Sequence, residues 1–443
     1  MHFTVDAKPL GAYDVIVAGG GLAGTFAAVS AAREGGKVLL LESEGCLGGT
    51  LTSGIVPSIM DEQGKGGMLG GLFAFLNAHG MSVSRFGPKT GADGKKIPGR
   101  IVDPEGCKYY LDRLAAESGV QVLFYSRVSG VALESGGPKP RIGHVLVSTE
   151  AGNYEAEAKV FIDATGNGNL AALSGCGFEC GEPGTGRMSP ASTEYAVVGL
   201  PEDYDGTDSG AEKRAYSDML KAHGIRISAE EAGIVKLPAL KEWDVSSDYQ
   251  YGVRPDDIFS LSEAAVKSRA EVFETVEAHK AIPGYEKIWL SHTAPHLGLR
   301  EGRRVFGEYR IREEDMIEGR RFPDGICLVR SRVDLHKIHP TDTLNASRGI
   351  RTKPYEIPYR ALIARDVSNL LLAGRCLSGD FYPHASYRMM GNMSATGEAA
   401  GFAAMWAVRN RVPLTEVPAE SLRERMKDYL GENAAPASGS EAK

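Results

Sequence analysis

Short apolar runs, most of them closed by glycine, recur along this chain, and the polar positions collect between them. Tyr13-Asp14-Val15-Ile16-Val17-Ala18 predicts a short apolar strand, and small apolar residues from Leu22 through Ala32 predict a helix. Lys37-Val38-Leu39-Leu40-Leu41 predicts a second, buried strand ending at Glu42. Pro104 to Glu117 has helical apolar spacing, and Val120 to Tyr125 predicts a strand. Ile142–Thr149 and Tyr154–Asp163 form a predicted hairpin around Ala151-Gly152-Asn153. Asn369 to Ala373 is a further buried strand, running into Gly374. The segment from Arg388 to Gly401 opens a helix rich in small residues.

The glycines between the first strand and helix carry chemistry. Gly19, Gly21 and Gly24 have the spacing G-x-G-x-x-G. Gly19 permits a tight turn, Gly21 lets backbone approach a pyrophosphate, and Gly24 lets the helix pack on the strand. The helix start at Leu22 and Ala23 aims N–H groups and a positive dipole end at that pyrophosphate. Glu42, eighteen residues after Gly24, is placed to accept hydrogen bonds from an adenosine ribose. Strand, turn, helix, strand and acid together predict a dinucleotide site. A second loop, Gly45 to Gly54 with Gly49 and Thr50 inside it, favours an extended FAD, whose ribityl chain needs close backbone, over a nicotinamide cofactor. Ala164-Thr165-Gly166 and Gly374-Arg375 are two more glycine turns after buried strands. Four such segments suit one long cofactor threaded across a single sheet.

These pieces resemble the FAD-dependent oxidoreductases of the two-dinucleotide-binding-domain group, related in fold to glutathione reductase and fumarate reductase flavoproteins. The matching residues are Asp14 to Gly24, Leu47 to Gly54, Ile162 to Gly166, the run Gly298-Leu299-Arg300-Glu301-x-Arg303-Arg304, and Leu371 to Gly401. Order and spacing fit from about Tyr13 to about Ala407. The resemblance implies an α/β fold: a Rossmann-like FAD-binding lobe, a parallel sheet with a β-meander crossover, plus an inserted α+β substrate lobe. It also implies that the backbone of Val128 lies against the adenine. The helix start at Gly391, Asn392 and Met393 is expected to face the flavin pyrimidine and stabilise its anionic reduced form. The expected FAD-binding lobe comprises 1–60, 101–174 and 354–412, with 61–100 an insertion near the flavin. Residues 175–353 are expected to form the substrate lobe, and 413–443 a C-terminal helix and flexible tail.

Composition narrows the setting. At 443 residues with 42% hydrophobic content, the chain supports two lobes with full cores. A net charge of −7 argues against nucleic acid or an anionic membrane as partner, since both favour a basic face. The most apolar stretch, Ala399 to Val408, is too short to span a bilayer, and Met1 to Leu10 lacks the pattern of a signal peptide. Six scattered cysteines form no disulfide framework, so a cytoplasmic setting is expected, with a homodimer as an open possibility.

Absences limit the reaction. Disulfide reductases of this fold carry two cysteines just after the Gly-Gly-Thr loop, whereas here Cys46 precedes it and the next is Cys107. No second G-x-G-x-x-G follows a strand, so no built-in NAD(P)H domain is expected. Electrons then pass between FAD and a small substrate, oxygen or a partner protein. Near the flavin, His384 is a candidate base, Tyr387 a hydrogen-bond donor and Arg388 a carboxylate or flavin anchor. The alternative is that His384 and Tyr387 pack the turn while Arg388 pairs with an acid. His296 and Arg300 belong to a second cluster, in which arginines suit an oxygen-rich substrate or form a structural network with Glu301 and Glu308. His336 and His339 lack a third ligand, so no metal is expected. Two functions remain: an enzyme exchanging hydride between noncovalently bound FAD and a small polar organic substrate, or a flavoprotein component coupled to a protein partner.

Overall fold

The first apolar run is the inner half of a longer strand. A computed structural model describes residues 4–84, 89–90, 96–97, 100–207, 209–343, 346–347 and 349–431 of the chain. In it β1 (Lys8–Ala18) feeds α1 (Leu22–Arg33), and β2 (Val38–Leu41) returns parallel to β1. Pro104 and Asp103 start α2 (Pro104–Glu117). The proline occupies the first turn, and the Asp103 carboxylate accepts from the amides of Glu105 (2.8 Å) and Gly106 (3.3 Å). β3 (Gln121–Leu123) then pairs parallel with β2. The predicted strand does not reach Tyr125, because that residue turns the chain with φ +52° and a new strand, β4 (Ser126–Glu134), starts beside it.

β4, β5 (Arg141–Thr149) and β6 (Gly152–Asp163) form an antiparallel meander. β6 does two jobs along its length. Its first half pairs with β5 on one side and β1 on the other. Its second half keeps β1 but exchanges β5 for β7 (Leu370–Leu372), which lies parallel to it. The seven-stranded sheet thus has the order β3-β2-β1-β6-β5-β4 with β7 on β6. The crossover expected from the predicted hairpin is this meander.

α3 (Met390–Asn410) packs across α1 through small residues. A Cβ on Gly397 would lie 2.0 Å from the Ala23 carbonyl oxygen, and one on Gly401 2.1 Å from that of Ala27. Backbone-to-backbone contact at this distance is why the helix is built from Gly, Ala, Ser and Thr.

The lobe boundaries differ from those expected. A separate hydrophobic core runs only from Tyr195 to Ile288, where helices Gly210–Ala222 and Ile258–His279 cover one face of the sheet 233–236, 243–246, 195–198, 289–293. Val305, Ile311, Met316, Ile326, Cys327, Val329 and Leu335 instead join the core built around β1 and α1. Strand Gly325–Val329, paired antiparallel with Tyr355–Pro358, carries them there, so much of 301–353 belongs to the first lobe. The 61–100 segment also contributes to it: helix Gly67–Ala78 buries Met68, Leu69, Leu72, Phe73 and Leu76 in the same core. Short helices at Ala419–Arg425 and Lys427–Leu430 dock Leu422, Met426 and Tyr429 on it. The expected flexible tail from 432 onward lies outside the described residues. Among the described residues, no helix is long and apolar enough to cross a membrane.

Candidate active site

The glycine turn after β1 is set by backbone contacts. Gly19 has φ +96°, and a Cβ there would sit 2.6 Å from the Ala164 carbonyl oxygen. A Cβ on Gly24 would sit 1.8 Å from the Gly19 carbonyl oxygen. At Gly21 it would meet no heavy atom within 4 Å. The first and third glycines are therefore required by the protein itself, and the middle one faces open space. α1 begins at Leu22 with no side-chain cap and no acid in its first turn, leaving its positive end uncompensated by the chain. An anionic group fits there.

The second loop lies directly on the first. The Gly48 amide donates to the Gly20 carbonyl (2.8 Å), and Gly49, at φ +56°, brings its Cβ position within 3.0 Å of the Gly21 Cα. Thr50 stays exposed, while Thr52 donates to the Leu47 carbonyl (2.6 Å) and closes the turn. Glu42 lies beneath both loops. One carboxylate oxygen accepts from the Gly20 amide (2.5 Å), the other from the Glu44 amide (2.7 Å) and Ser43 hydroxyl (3.1 Å). β4 starts at the same place, with the Ser126 amide on the Glu42 carbonyl (2.8 Å), so Val128 is carried near that acid.

The third and fourth glycine turns meet on the other side. Buried Asp163 accepts from the Thr165 amide (3.0 Å), Thr165 hydroxyl (2.7 Å) and Ala171 amide (2.8 Å), which shapes the Ala164-Thr165-Gly166 turn. Burial pushes its carboxyl up despite those donors. Arg375 spans the two turns. It donates to the Gly166 carbonyl (3.2 Å), to Asn167 Oδ1 (2.8 Å) and to the Leu299 carbonyl. Burial and the nearby charge of Arg388 pull its guanidinium down to about 10. The Gly374 amide donates to Thr396 of α3 (2.9 Å), tying this turn to that helix.

The start of α3 is held by a residue that no motif singled out. Asp61, fully buried at φ +55°, accepts on Oδ2 from the Arg330 amide (2.9 Å), Ser331 amide (2.9 Å), Ser331 hydroxyl (2.7 Å) and Asn392 amide group (2.9 Å). Its other oxygen pairs with buried Lys65 at 2.8 Å. A Cβ on Gly391 would lie 2.2 Å from the Asp61 carbonyl oxygen. Asn392 is thus turned inward to Asp61, and Met393 follows it into the core. Apart from Lys65, four residues on, the partners of Asp61 are 269 to 331 residues away.

The predicted catalytic residues are dispersed between packing and site. His384 is buried, and its Nε2 donates to the Arg375 carbonyl (3.0 Å). Burial, then Arg304, Arg388 and Arg375, hold its proton affinity well below the usual imidazole range. Tyr387 is buried edge-on to it and donates to the Leu377 carbonyl (3.1 Å). The Tyr387 bond suits the turn-packing alternative, whereas the Nδ1 of His384 is buried with no partner among the described residues. Arg388 bonds the Asp334 carbonyl (2.8 Å) and carboxylate (3.1 Å). Arg300 donates to the Pro190 carbonyl (2.7 Å) and Ser192 (3.0 Å) and lies 4.9 Å from the Tyr249 ring centroid. His296 stands at the lobe junction, its amide on the Ser53 carbonyl (3.3 Å) and its Nδ1 3.6 Å from Glu44. Arg388 lies close enough to both Arg300 and Arg375 for their charges to act on one another, and Arg375 reaches the Leu299 carbonyl beside Arg300, so the three guanidinium groups converge at the Gly374 turn. Among the described residues no group of three His, Cys, Asp or Glu side chains is placed to hold a metal, and all six cysteines are free thiols.

A family model described as FAD dependent oxidoreductase matches residues 14–426. Among solved structures, the chain is similar to a geranylgeranyl bacteriochlorophyll reductase-like protein from Thermoplasma acidophilum, at 14% identity, covering 95% of this chain and 84% of that one, with a TM-score of 0.49. It is also similar to p-nitrophenol 4-monooxygenase PnpA from Pseudomonas putida DLL-E4, at 15% identity, 94% and 85% coverage and a TM-score of 0.47. A third is the OxyS anhydrotetracycline hydroxylase from Streptomyces rimosus, at 14% identity, 94% and 68% coverage and a TM-score of 0.46.

Proposed function

The chain belongs to the FAD dependent oxidoreductase family, and on that premise we propose that it exchanges hydride between noncovalently bound FAD and a small polar organic substrate held between its lobes. Bound FAD supplies the two-electron chemistry. Gly19, Gly21, Leu22, Ala23 and Gly24 would hold its pyrophosphate, Glu42 its ribose, and the backbone at Val128 its adenine. Gly49, Thr50, Ala164, Thr165, Gly166, Gly374 and Arg375 would line its extended middle, and Gly391, Asn392 and Met393 would face its pyrimidine end.

The observation that carries the substrate reading is the convergence of Arg300, Arg375 and Arg388. Among the described residues Arg300 and Arg375 have no acid within ion-pair distance, and Arg388 has only Asp334. Guanidinium groups held by carbonyl oxygens keep their charge available to an oxygen-rich anion. The chain's own part is to bind and orient that anion and to exclude water around it.

An anaerobic titration of the FAD-loaded protein tests this. Hydroxy acids, amino acids, sugars and aromatic alcohols are added while the oxidised-flavin absorbance is followed. Bleaching by one class supports the reading. A protein reduced by dithionite but by none of these donors would rule out a dehydrogenase of small polar molecules.

A further inference from the structure

The sheet of the second lobe has one apolar and one polar face. Tyr195, Val197, Ile234, Trp243 and Val245 point into the lobe's own core. The alternate positions, Glu194, Ala196, Asp244 and Ser246, therefore point the other way. Ala196 pairs with Asp244, so Glu194, two residues before Ala196, is a diagonal same-face neighbour of Asp244. Ala196, Asp244 and His292 line a cleft whose opposite wall is Ile55 and Pro104 of the FAD-binding lobe. Ile55 directly follows the second glycine loop and is held at φ +41°, a conformation that β-branched residues rarely adopt.

Among the described residues neither acid has a paired cation; Glu194 takes a hydrogen bond from Ser246, whereas Asp244 keeps a buried oxygen without a partner. Asp244 and Glu194 are each only 8% exposed. Neither has a lysine or arginine nitrogen within ion-pair distance among the described residues. Among the described residues the Oδ1 of Asp244 is buried and has no hydrogen-bond partner. A buried carboxylate in this state costs several kcal/mol unless it takes up a proton or meets a ligand. Burial raises Asp244 well above the usual range, with Glu194 adding to the effect. Burial likewise pushes Glu194 up to about 7, with Arg300 opposing and Asp248 reinforcing the rise. Lys213, on helix Gly210–Ala222, lowers both, and Glu105, Glu242 and His292 are the other titratable groups on the cleft. Two neighbouring buried carboxyls with no cation paired to either can share a proton, giving it in one direction and taking it in the other.

Resting on the hydride-exchange reading above, we propose that Asp244, backed by Glu194, exchanges the heteroatom proton of the substrate, and that the substrate is a small carboxylic acid bearing an O–H or N–H group, its carboxylate directed to Arg300. In substrate oxidation the X–H bond breaks, its electron pair stays on X, and the proton bonds to the ionised oxygen of the pair. In substrate reduction the carboxyl O–H returns that proton. The accompanying two-electron change at carbon is the one already assigned to bound FAD. His384 is carried in the test as the other candidate base, since its Nε2 donates to the Arg375 carbonyl while its Nδ1 is buried without a partner among the described residues.

The test compares wild type, Asp244→Asn, Glu194→Gln and His384→Asn as FAD-loaded full-length protein. Alanine, lactate, phenylalanine and phenyllactate are the acid probes, with ethylamine and ethanol as controls lacking the carboxylate. The infrared band of a protonated carboxyl is expected in wild type at neutral pH and lost in Asp244→Asn, a readout independent of turnover. One acid probe is expected to bleach wild type, and Asp244→Asn to slow that bleaching by about a hundredfold or more with melting temperature and flavin spectrum unchanged. Glu194→Gln is expected to move the midpoint of the pH–rate profile downward, because it removes the neighbouring negative charge. Absence of the infrared band, or wild-type rates in Asp244→Asn on a substrate that does reduce wild type, overturns the proton role alone. Equal bleaching by ethanol or ethylamine overturns the carboxylate assignment. A wild type reduced by no probe overturns this proposal together with the reading beneath it.

Discussion

Gly21 and Gly24 belong to one motif, yet alanine at each should fail for opposite reasons. Gly21 has φ −59°, and a Cβ there meets nothing within 4 Å. Gly21→Ala should therefore leave the apoprotein intact or stabilise it by about 0.4–1 kcal/mol through the lower entropy of its unfolded chain. The methyl instead enters the space read as the pyrophosphate cradle. Loss of one charge-assisted hydrogen bond costs about 1.5–3 kcal/mol, which weakens FAD binding roughly 10- to 150-fold. At Gly24 the new Cβ would lie 1.8 Å from a carbonyl oxygen, where real Cβ contacts stay above 3.0 Å, so α1 must retreat by more than 1 Å. The clashing atom is backbone and cannot rotate away. Overpacking of this kind costs about 3 kcal/mol or more. Urea unfolding of the apoproteins, followed by circular dichroism, reads stability, and quenching of FAD fluorescence reads affinity. Equal stability losses in the two variants, or wild-type FAD affinity in Gly21→Ala, would refute the reasoning.

Two further predictions concern buried ionisable groups. Burial raises the Asp61 carboxyl, but Lys65 and the donated hydrogen bonds outweigh it, leaving the group depressed in the folded state. Its stabilisation is present above the ordinary carboxylate range and is lost as pH falls through the depressed value. Asp61→Asn should cost about 3–5 kcal/mol at neutral pH by leaving Lys65 buried and unpaired, and should flatten the acid limb of the stability curve; an unchanged limb contradicts the hub role. Burial depresses His336 to about 4. Folded protein therefore resists a proton that the unfolded chain accepts near 6.5, and stability falls as pH drops from about 6.5 to about 4. His336→Gln should lessen that fall in melting temperature, and an unaltered slope would show the imidazole does not contribute.

The class of cofactor and the glycine turns were legible because their signals are local. Strand, glycine turn, helix and acid are adjacent in sequence, and φ above zero at Gly19 or contact at Gly24 admits only glycine. The boundary of the second lobe was not legible, because Val305 and Ile326 are as apolar as Val197 and Ile234. Which core each joins depends on strand Gly325–Val329 pairing with Tyr355–Pro358. His384 illustrates the same limit. Its neighbours in sequence suited a base, and the Arg375 carbonyl that fixes which ring nitrogen carries the proton arrives through the turn after β7.

The amino-acid sequence by itself determined the class of cofactor, the order of the glycine turns and the elements α1, β2 and α2, since each rests on contacts within a few residues or on glycine's freedom from a Cβ. Only the tertiary structure decided that Asp61 holds α3 from more than 300 residues away. Only it left the Asp244 Oδ1 without a partner on the face turned to the cleft. Burial and the absence of a counter-ion are properties of what surrounds a side chain, and strands that meet across lobes create those surroundings.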